Sequence, residues 1–112
     1  MEKIVEQGLL YDFYGPLLTG HQQKIYEKAV YENLSLVEIA EEDGISRQAV
    51  HDLLRRCTAL MESYERKLGL IARFKRLGED ADALEALIGQ IRDEVLSREL
   101  QELAEKIRRD LQ

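Results

Sequence analysis

The stretch "SLVEIAEEDGISRQAVHDLLRR", residues 35–56, decides the fold of this chain. Ser35 with Glu38 three positions later is a capping box, which predicts the start of a short helix. Gly44 predicts the end of that helix, because glycine readily adopts the left-handed conformation that turns a chain sharply. Ser46 is then the predicted N-cap of a second helix. Two helices joined by a tight glycine turn form a helix-turn-helix.

Outside this motif, apolar residues again recur at helical spacing, and no alternating strand pattern occurs. An apolar stripe from Ile4 to Tyr14 predicts a first helix, which Gly15-Pro16 should end, and Thr19 is the predicted N-cap of the next. The helix after Ser46 is predicted to run over about 47–77.

Two glycines and one serine set the predicted boundaries in the second half. Gly69 could kink the long helix or mark a boundary, and Gly78-Glu79-Asp80 predicts a break. Ser97 could cap a separate final helix or lie within a longer one. The predicted fold class is therefore all-α, with a helix-turn-helix domain over 1–78 and a C-terminal helical extension over 79–112.

Charge is unevenly distributed along the chain. The net charge is −6, but residues 44–78 carry +5, between −6 in residues 1–43 and −5 in residues 79–112. Because salt confines exposed charges to about 8–10 Å, local sign matters more than the total. The basic segment begins at the turn of the motif, which predicts a positively charged second helix.

The outward side chains of that helix have the chemistry of a nucleic-acid reader. Arg47 could pair with guanine and Gln48 with adenine, if the start of the helix enters a major groove. The other cations could neutralise phosphates. The predicted nucleic-acid-binding residues are Ser46, Arg47, Gln48, His51, Arg55, Arg56, Arg66 and Lys67.

A second interpretation gives the motif a protein-binding or purely structural role. Asp52 lies three positions before Arg55, so the two could form an ordinary helical ion pair. The acidic residues of the first motif helix would weaken docking to a nucleic-acid backbone; they are Glu38, Glu41, Glu42 and Asp43.

No pattern indicates catalysis. Cys57 falls on the inward stripe of the long helix and is predicted to be a buried thiol, and a lone cysteine cannot build a cysteine-cluster metal site. His21 and His51 are far apart, and no phosphate loop or nucleophile elbow occurs. A non-enzymatic protein without cofactor or metal is expected. No leader-like N-terminus or apolar run of about 18 residues occurs, which predicts a cytoplasmic protein without membrane insertion.

The sequence also resembles known families. "LTGHQQKIYEKAVYENLSLVEIAEEDGISRQAVHDLLRRC", residues 18–57, is similar to region 4 of bacterial sigma factors, which reads the promoter −35 element. "LLYDFYGPLLTGHQQ" and "YERKLGL" narrow the resemblance to the small YlxM-type helix-turn-helix proteins associated with the signal recognition particle. This resemblance covers about residues 8–75 and aligns Ser46, Arg47, Gln48 and His51 with the sigma recognition helix.

The resemblance implies an accessory role in the signal recognition particle pathway. The implied partners are the particle's GTPase Ffh, its receptor or its RNA, and no catalytic residues carry over. Three functions stay open at this point: an RNA- or protein-binding accessory of the particle, a DNA-binding transcription regulator, and a scaffold that dimerises. The apolar stripes of the C-terminal helices could pair two chains or fold back onto the first helix, and a homodimer is predicted.

Overall fold

A computed structural model describes residues 3–111 of the chain, with side chains from residue 5 onwards. The predicted all-α fold is confirmed: this range contains helices and no strand. The helices are α1 Lys3–Tyr14, a 3₁₀ turn Gly15–Leu17, α2 Gly20–Val30, α3 Leu36–Asp43, α4 Arg47–Leu68, α5 Leu70–Ile88 and α6 Glu94–Asp110. The side chain of Ile4 lies outside the described residues. Within the described range, no helix combines the length and the apolarity that a bilayer crossing requires.

The predicted caps form the helix-turn-helix as expected. Thr19 caps α2, and the Ser35 hydroxyl accepts from the Glu38 backbone N–H at 3.1 Å, completing the capping box of α3. Gly44 ends α3 in the left-handed conformation, with φ of 69°. The Ser46 hydroxyl accepts from the Ala49 N–H at 3.0 Å and starts α4.

Two compact units divide the chain, one ending at Ile71 and one beginning at Ala72. In the first unit, α4 packs against α1, α2 and α3. Tyr14, Tyr26 and Met61 form a buried cluster that also contains Cys57, which confirms the predicted buried thiol. A second cluster joins α2 to the helix-turn-helix and consists of Ile25, Ile39, Ala40 and Val50.

The predicted break at Gly78 is wrong. α4 ends at Leu68, where Gly69 takes a left-handed conformation with φ of 63°, and α5 continues through Gly78. A glycine inside a helix costs only about 1 kcal/mol, and the Ala, Leu and Glu residues around it favour helix. Gly78, after which the sequence predicts a domain boundary, lies inside α5, and the chain divides into compact units between Ile71 and Ala72.

A side chain from α1 explains why α5 starts where it does. Backbone N–H groups at the start of a helix lack intrahelical partners. The Tyr14 hydroxyl accepts from the Leu70 N–H at 3.2 Å, and Glu65 Oε1 accepts from the Ile71 N–H at 3.0 Å. Tyr14 in turn donates to Glu65 Oε1, so the two side chains cap α5 together.

The second unit consists of α6 and the part of α5 from Ala72 onwards. Asp93 caps α6, accepting from the Val95 and Leu96 N–H groups at 3.0 and 3.1 Å. Ser97 therefore lies inside α6 and does not cap a helix. Arg108 on α6 donates to Glu85 Oε1 and Asp82 Oδ1 on α5, each at 2.8 Å.

Candidate nucleic-acid interface

The turn of the motif fixes the start of α4 at the surface. The Ile45 N–H donates to the Ala40 carbonyl at 3.1 Å, which stabilises the turn between α3 and α4. Val50, in the first turn of α4, is buried. The polar side chains of the first two turns of α4 therefore point away from the core.

Arg47, His51 and Arg55 follow one another at intervals of four residues along a single edge of α4, and all three are exposed. At about 100° per residue, these positions drift only about 40° from one to the next. Gln48 lies beside them, also exposed. The edge formed by Arg47, Gln48, His51 and Arg55 is called the α4 edge below.

The two arginines of the α4 edge, Arg47 and Arg55, have no carboxylate partner among the described residues. Elsewhere in the same unit Lys28 pairs with two carboxylates, at 3.3 and 3.7 Å. Arg47 and Arg55 are therefore available to an anionic ligand without first breaking an ion pair.

Asp52 does not form the helical ion pair with Arg55 that the sequence allowed. Gln48 Nε2 donates to Asp52 Oδ1 at 3.0 Å, and His51 Nδ1 lies 3.6 Å from the same oxygen. This arrangement leaves Arg55 free and holds Gln48 along the helix surface. To read an adenine, Gln48 would have to exchange the carboxylate of Asp52 for the base.

The start of α3 lies beside the start of α4. Leu36, Ser46, Arg47, Gln48 and His51 line one open groove. Leu36, the first residue of α3, is 36% exposed there. Spacing alone missed this residue, because its burial depends on how α3 crosses α4. The groove thus combines the apolar side chain of Leu36 with the cationic side chain of Arg47 and the amide of Gln48.

The acidic end of α3 is largely neutralised from within the protein. Asp43 lies 3.0 Å from His21 Nε2 and 3.3 Å from Lys28 Nζ, and Lys24 Nζ approaches to 3.9 Å. Glu42 also pairs with Lys28. The hydrogen bond from His21, followed by that from Lys28, holds the pKa of Asp43 below its ordinary value, although desolvation opposes the shift. The repulsion that these two carboxylates would exert on a phosphate is correspondingly reduced.

The remaining predicted site residues are exposed but lie elsewhere on α4. Arg56 lies about 180° round the helix from Arg47. Arg66 and Lys67 lie in its last turn, about 28 Å along the axis from Arg47 at about 1.5 Å per residue. A ligand that touches both ends must span roughly eight base pairs of duplex, at about 3.4 Å per pair.

A second groove adjoins the α4 edge on the side of α1. Gln7 lines it together with His51, Arg55, Thr58 and Glu62, above Leu54 and Ala59. Glu62 is exposed and places a negative charge about two helical turns beyond Arg55. This carboxylate sets a limit to the cationic part of the α4 edge. Sequence spacing could have placed Glu62 there, but the approach of Gln7 depends on how α1 packs.

The comparisons with known proteins agree on one family. Residues 1–108 match the model of the family UPF0122, described as "Putative helix-turn-helix protein, YlxM / p13 like". A UPF0122 protein of Symbiobacterium thermophilum is 49% identical over 76 residues, which are 68% of this chain and 71% of the relative. One from Halalkalibacterium halodurans is 38% identical over 107 residues, 96% of this chain and 95% of the relative. One from Thermoanaerobacter sp. is 39% identical over 104 residues, 93% and 89% of the two chains.

Proposed function

This chain belongs to the UPF0122 family of YlxM/p13-like helix-turn-helix proteins, and on that premise we propose that it binds nucleic acid, without catalysis, through the α4 edge. The observation that carries the proposal is the pair of exposed arginines, Arg47 and Arg55, with no internal carboxylate partner among the described residues. They lie on the helix that a helix-turn-helix presents to its ligand.

We further propose that the protein acts in the cytoplasm as an accessory of the signal recognition particle pathway. Support comes from the resemblance to YlxM-type proteins, and the family match over residues 1–108 agrees with that resemblance. The particle's RNA is then the first ligand to test, and its GTPase Ffh and the receptor are the first protein partners.

A DNA-binding regulator of the sigma region 4 type is the second candidate. The observation that favours it is the placement of Arg47 and Gln48 in the first turn of α4, beside the start of α3. Arginine and glutamine at the start of a recognition helix are the side chains that pair with guanine and adenine in a major groove.

Fluorescence anisotropy titrations can separate these ligands. The full chain would be titrated against the particle RNA, an unrelated RNA hairpin and a promoter duplex, each at several salt concentrations. An accessory of the particle should prefer its RNA over both controls, with a steep salt dependence. A regulator should prefer the promoter duplex over a scrambled duplex.

The double variant Arg47→Glu/Arg55→Glu tests the assigned surface. We expect it to abolish measurable binding at physiological salt and, at low salt where binding can still be measured, to reduce the salt slope by about two phosphate contacts. The matched control is Arg98→Glu/Arg109→Glu, which changes the net charge equally at two exposed arginines of α6. Equal losses in the two variants would show that only total charge matters, and full binding by the first variant would eliminate the α4 edge. If no nucleic acid binds and Ffh captures the protein, the motif is a protein-docking surface and the proposal fails.

A further inference from the structure

The groove between α1 and α4 adjoins the α4 edge and has room for a small planar group. It has a volume of about 350 Å³, and it is lined by Gln7 of α1 and by side chains of α4 that include Leu54, Arg55, Ala59 and Glu62. Pockets that bind small organic ligands begin at about 300 Å³ and are mostly apolar. Leu54 and Ala59 supply apolar surface against which the flat face of a ring can pack. This space is called the α1–α4 groove below.

Glu62 gives the α1–α4 groove a hydrogen-bond acceptor that the protein itself does not use. Its side chain is exposed, and it forms no ion pair or hydrogen bond among the described residues. A carboxylate repels phosphate, so Glu62 weakens any contact that involves the nucleic-acid backbone alone. An ionised carboxylate accepts hydrogen bonds and donates none. The groove therefore favours a ligand group that exposes N–H donors.

Guanine is the base whose donors match a carboxylate best. The two oxygens of one carboxylate can accept from two adjacent N–H groups, as they do in bidentate pairs with arginine. On the Watson–Crick edge of guanine, N1–H and the N2 amino group lie side by side. Adenine and cytosine place one amino group beside an acceptor nitrogen, and uracil places its N–H between two carbonyl oxygens. Because a carboxylate repels these acceptors, Glu62 discriminates against the other three bases.

The spacing of Arg55 and Glu62 suits a single nucleotide. Seven residues separate them on α4, which places them on the same side of the helix and about 10 Å apart along its axis. The phosphate of a nucleotide and the Watson–Crick edge of its base are separated by a similar distance. The phosphate can therefore contact Arg55 while the base packs on Ala59 and reaches Glu62. Gln7, on the α1 side of the groove, has an amide that can donate to O6 of the same base.

We propose that the α1–α4 groove binds an unpaired guanine of the nucleic-acid ligand, which donates from N1–H and its N2 amino group to Glu62. A paired guanine uses these donors for its partner base, so the groove selects single-stranded loops or ends, which are the usual sites of sequence-specific RNA recognition. This inference rests on the proposed function, since Arg55 also belongs to the α4 edge. It adds a base preference, which contacts to phosphate alone do not provide.

Two RNA hairpins with the same stem test the base preference by fluorescence anisotropy. One loop alternates guanine and uridine, and the other contains only uridine. The wild type should bind the guanine loop about tenfold more tightly, which is within the discrimination that a bidentate contact provides. Replacement of each loop guanine by inosine, which lacks only the N2 amino group, should weaken binding by the wild type several-fold.

Glu62→Gln separates base recognition from simple repulsion, because the two explanations predict opposite signs for the guanine loop. The variant removes a charge that repels phosphate, so it should bind the uridine loop at least as tightly as the wild type does. It should bind the guanine loop several-fold more weakly, since glutamine keeps only one acceptor oxygen.

The matched control is Glu41→Gln, which removes an exposed carboxylate of α3 that forms no ion pair among the described residues. This control should change the affinity for both loops by the same factor, since Glu41 does not line the α1–α4 groove. Circular dichroism would check that both variants keep the helix content of the wild type.

Equal affinity of the wild type for the guanine and uridine loops would overturn the inference, and so would tighter binding of both loops by Glu62→Gln. The Arg47→Glu/Arg55→Glu variant keeps this failure distinct from failure of the proposed function. If that variant binds neither loop while the wild type binds both equally, the α4 edge stands and the guanine site is wrong. If the wild type binds neither hairpin, the inference fails, and the proposed function fails with it only if the promoter duplex is not bound either.

Discussion

Removal of the Tyr14 hydroxyl should destabilise the protein by about 2 kcal/mol. Tyr14 is only 1% exposed, and its hydroxyl both donates to Glu65 and accepts from the Leu70 N–H. In Tyr14→Phe the partly buried Leu70 N–H loses its acceptor, and an unsatisfied buried group costs about 1–3 kcal/mol. Glu65 keeps its bond from the Ile71 N–H, so its own loss is partial.

Urea denaturation followed by far-ultraviolet circular dichroism measures this effect, because the chain contains no tryptophan. The midpoint should fall while the slope stays unchanged, since the surface exposed on unfolding is the same. Hydrogen exchange adds a local measurement: the Leu70 amide should exchange faster in Tyr14→Phe because the start of α5 has lost its cap.

Tyr64→Phe is the matched control. The Tyr64 ring lies 6.0 Å from that of Tyr14 and is half-buried, but its hydroxyl bonds to no described residue. Its removal should change the free energy of unfolding by less than about 0.5 kcal/mol. If Tyr14→Phe is equally mild, or leaves exchange at Leu70 unaltered, the reasoning about this cap is wrong.

Three further predictions concern the turn, the acidic end of α3 and the thiol. In Gly44→Ala the free energy of unfolding should fall by about 1–2 kcal/mol, because φ at this residue is 69°, which strains a residue that has a side chain, even though the added methyl would meet no other atom. In Gly78→Ala the free energy of unfolding should rise by about 0.5–1 kcal/mol, because alanine favours the helix α5. Thermal melts compare the two variants. The pKa of Asp43 is lower in the folded state than in the unfolded state. The ionised carboxylate therefore stabilises the fold fully above about pH 4, and this stabilisation is lost as the pH falls further. The stability difference between wild type and Asp43→Asn should therefore shrink in urea titrations as the pH falls below about 4, and a constant difference would contradict the assigned pairing. Burial raises the pKa of the Cys57 thiol, so a disulfide reagent at about pH 8 should label it at least tenfold more slowly than in urea.

Local signals in the sequence predicted the start of nearly every element in the first unit. Thr19, Ser35 and Ser46 each cap the helix expected of them, and Gly44 supplies the left-handed turn. These predictions succeeded because a cap involves atoms only two or three residues apart. The same locality placed Arg47, Gln48, His51 and Arg55 on an exposed edge of α4.

Predictions that depended on distant residues were less accurate. Gly69 and Gly78 look alike in sequence, yet only Gly69 ends a helix. The difference comes from Tyr14, more than fifty positions away, whose hydroxyl caps the helix that begins just after Gly69. The neutralisation of Asp43 likewise needed Lys28 and His21 from another helix.

The sequence by itself determined the family, the helical class, the helix-turn-helix and the cations of α4, because periodicity, capping and charge are properties of neighbouring residues. The tertiary structure decided where α4 ends, which cations lack a carboxylate partner among the described residues, and that Leu36 borders the α4 edge. It also showed that the leucines of α5 and α6 are only partly covered within the second unit. Each of these depends on distances between segments that the chain brings together only when it folds.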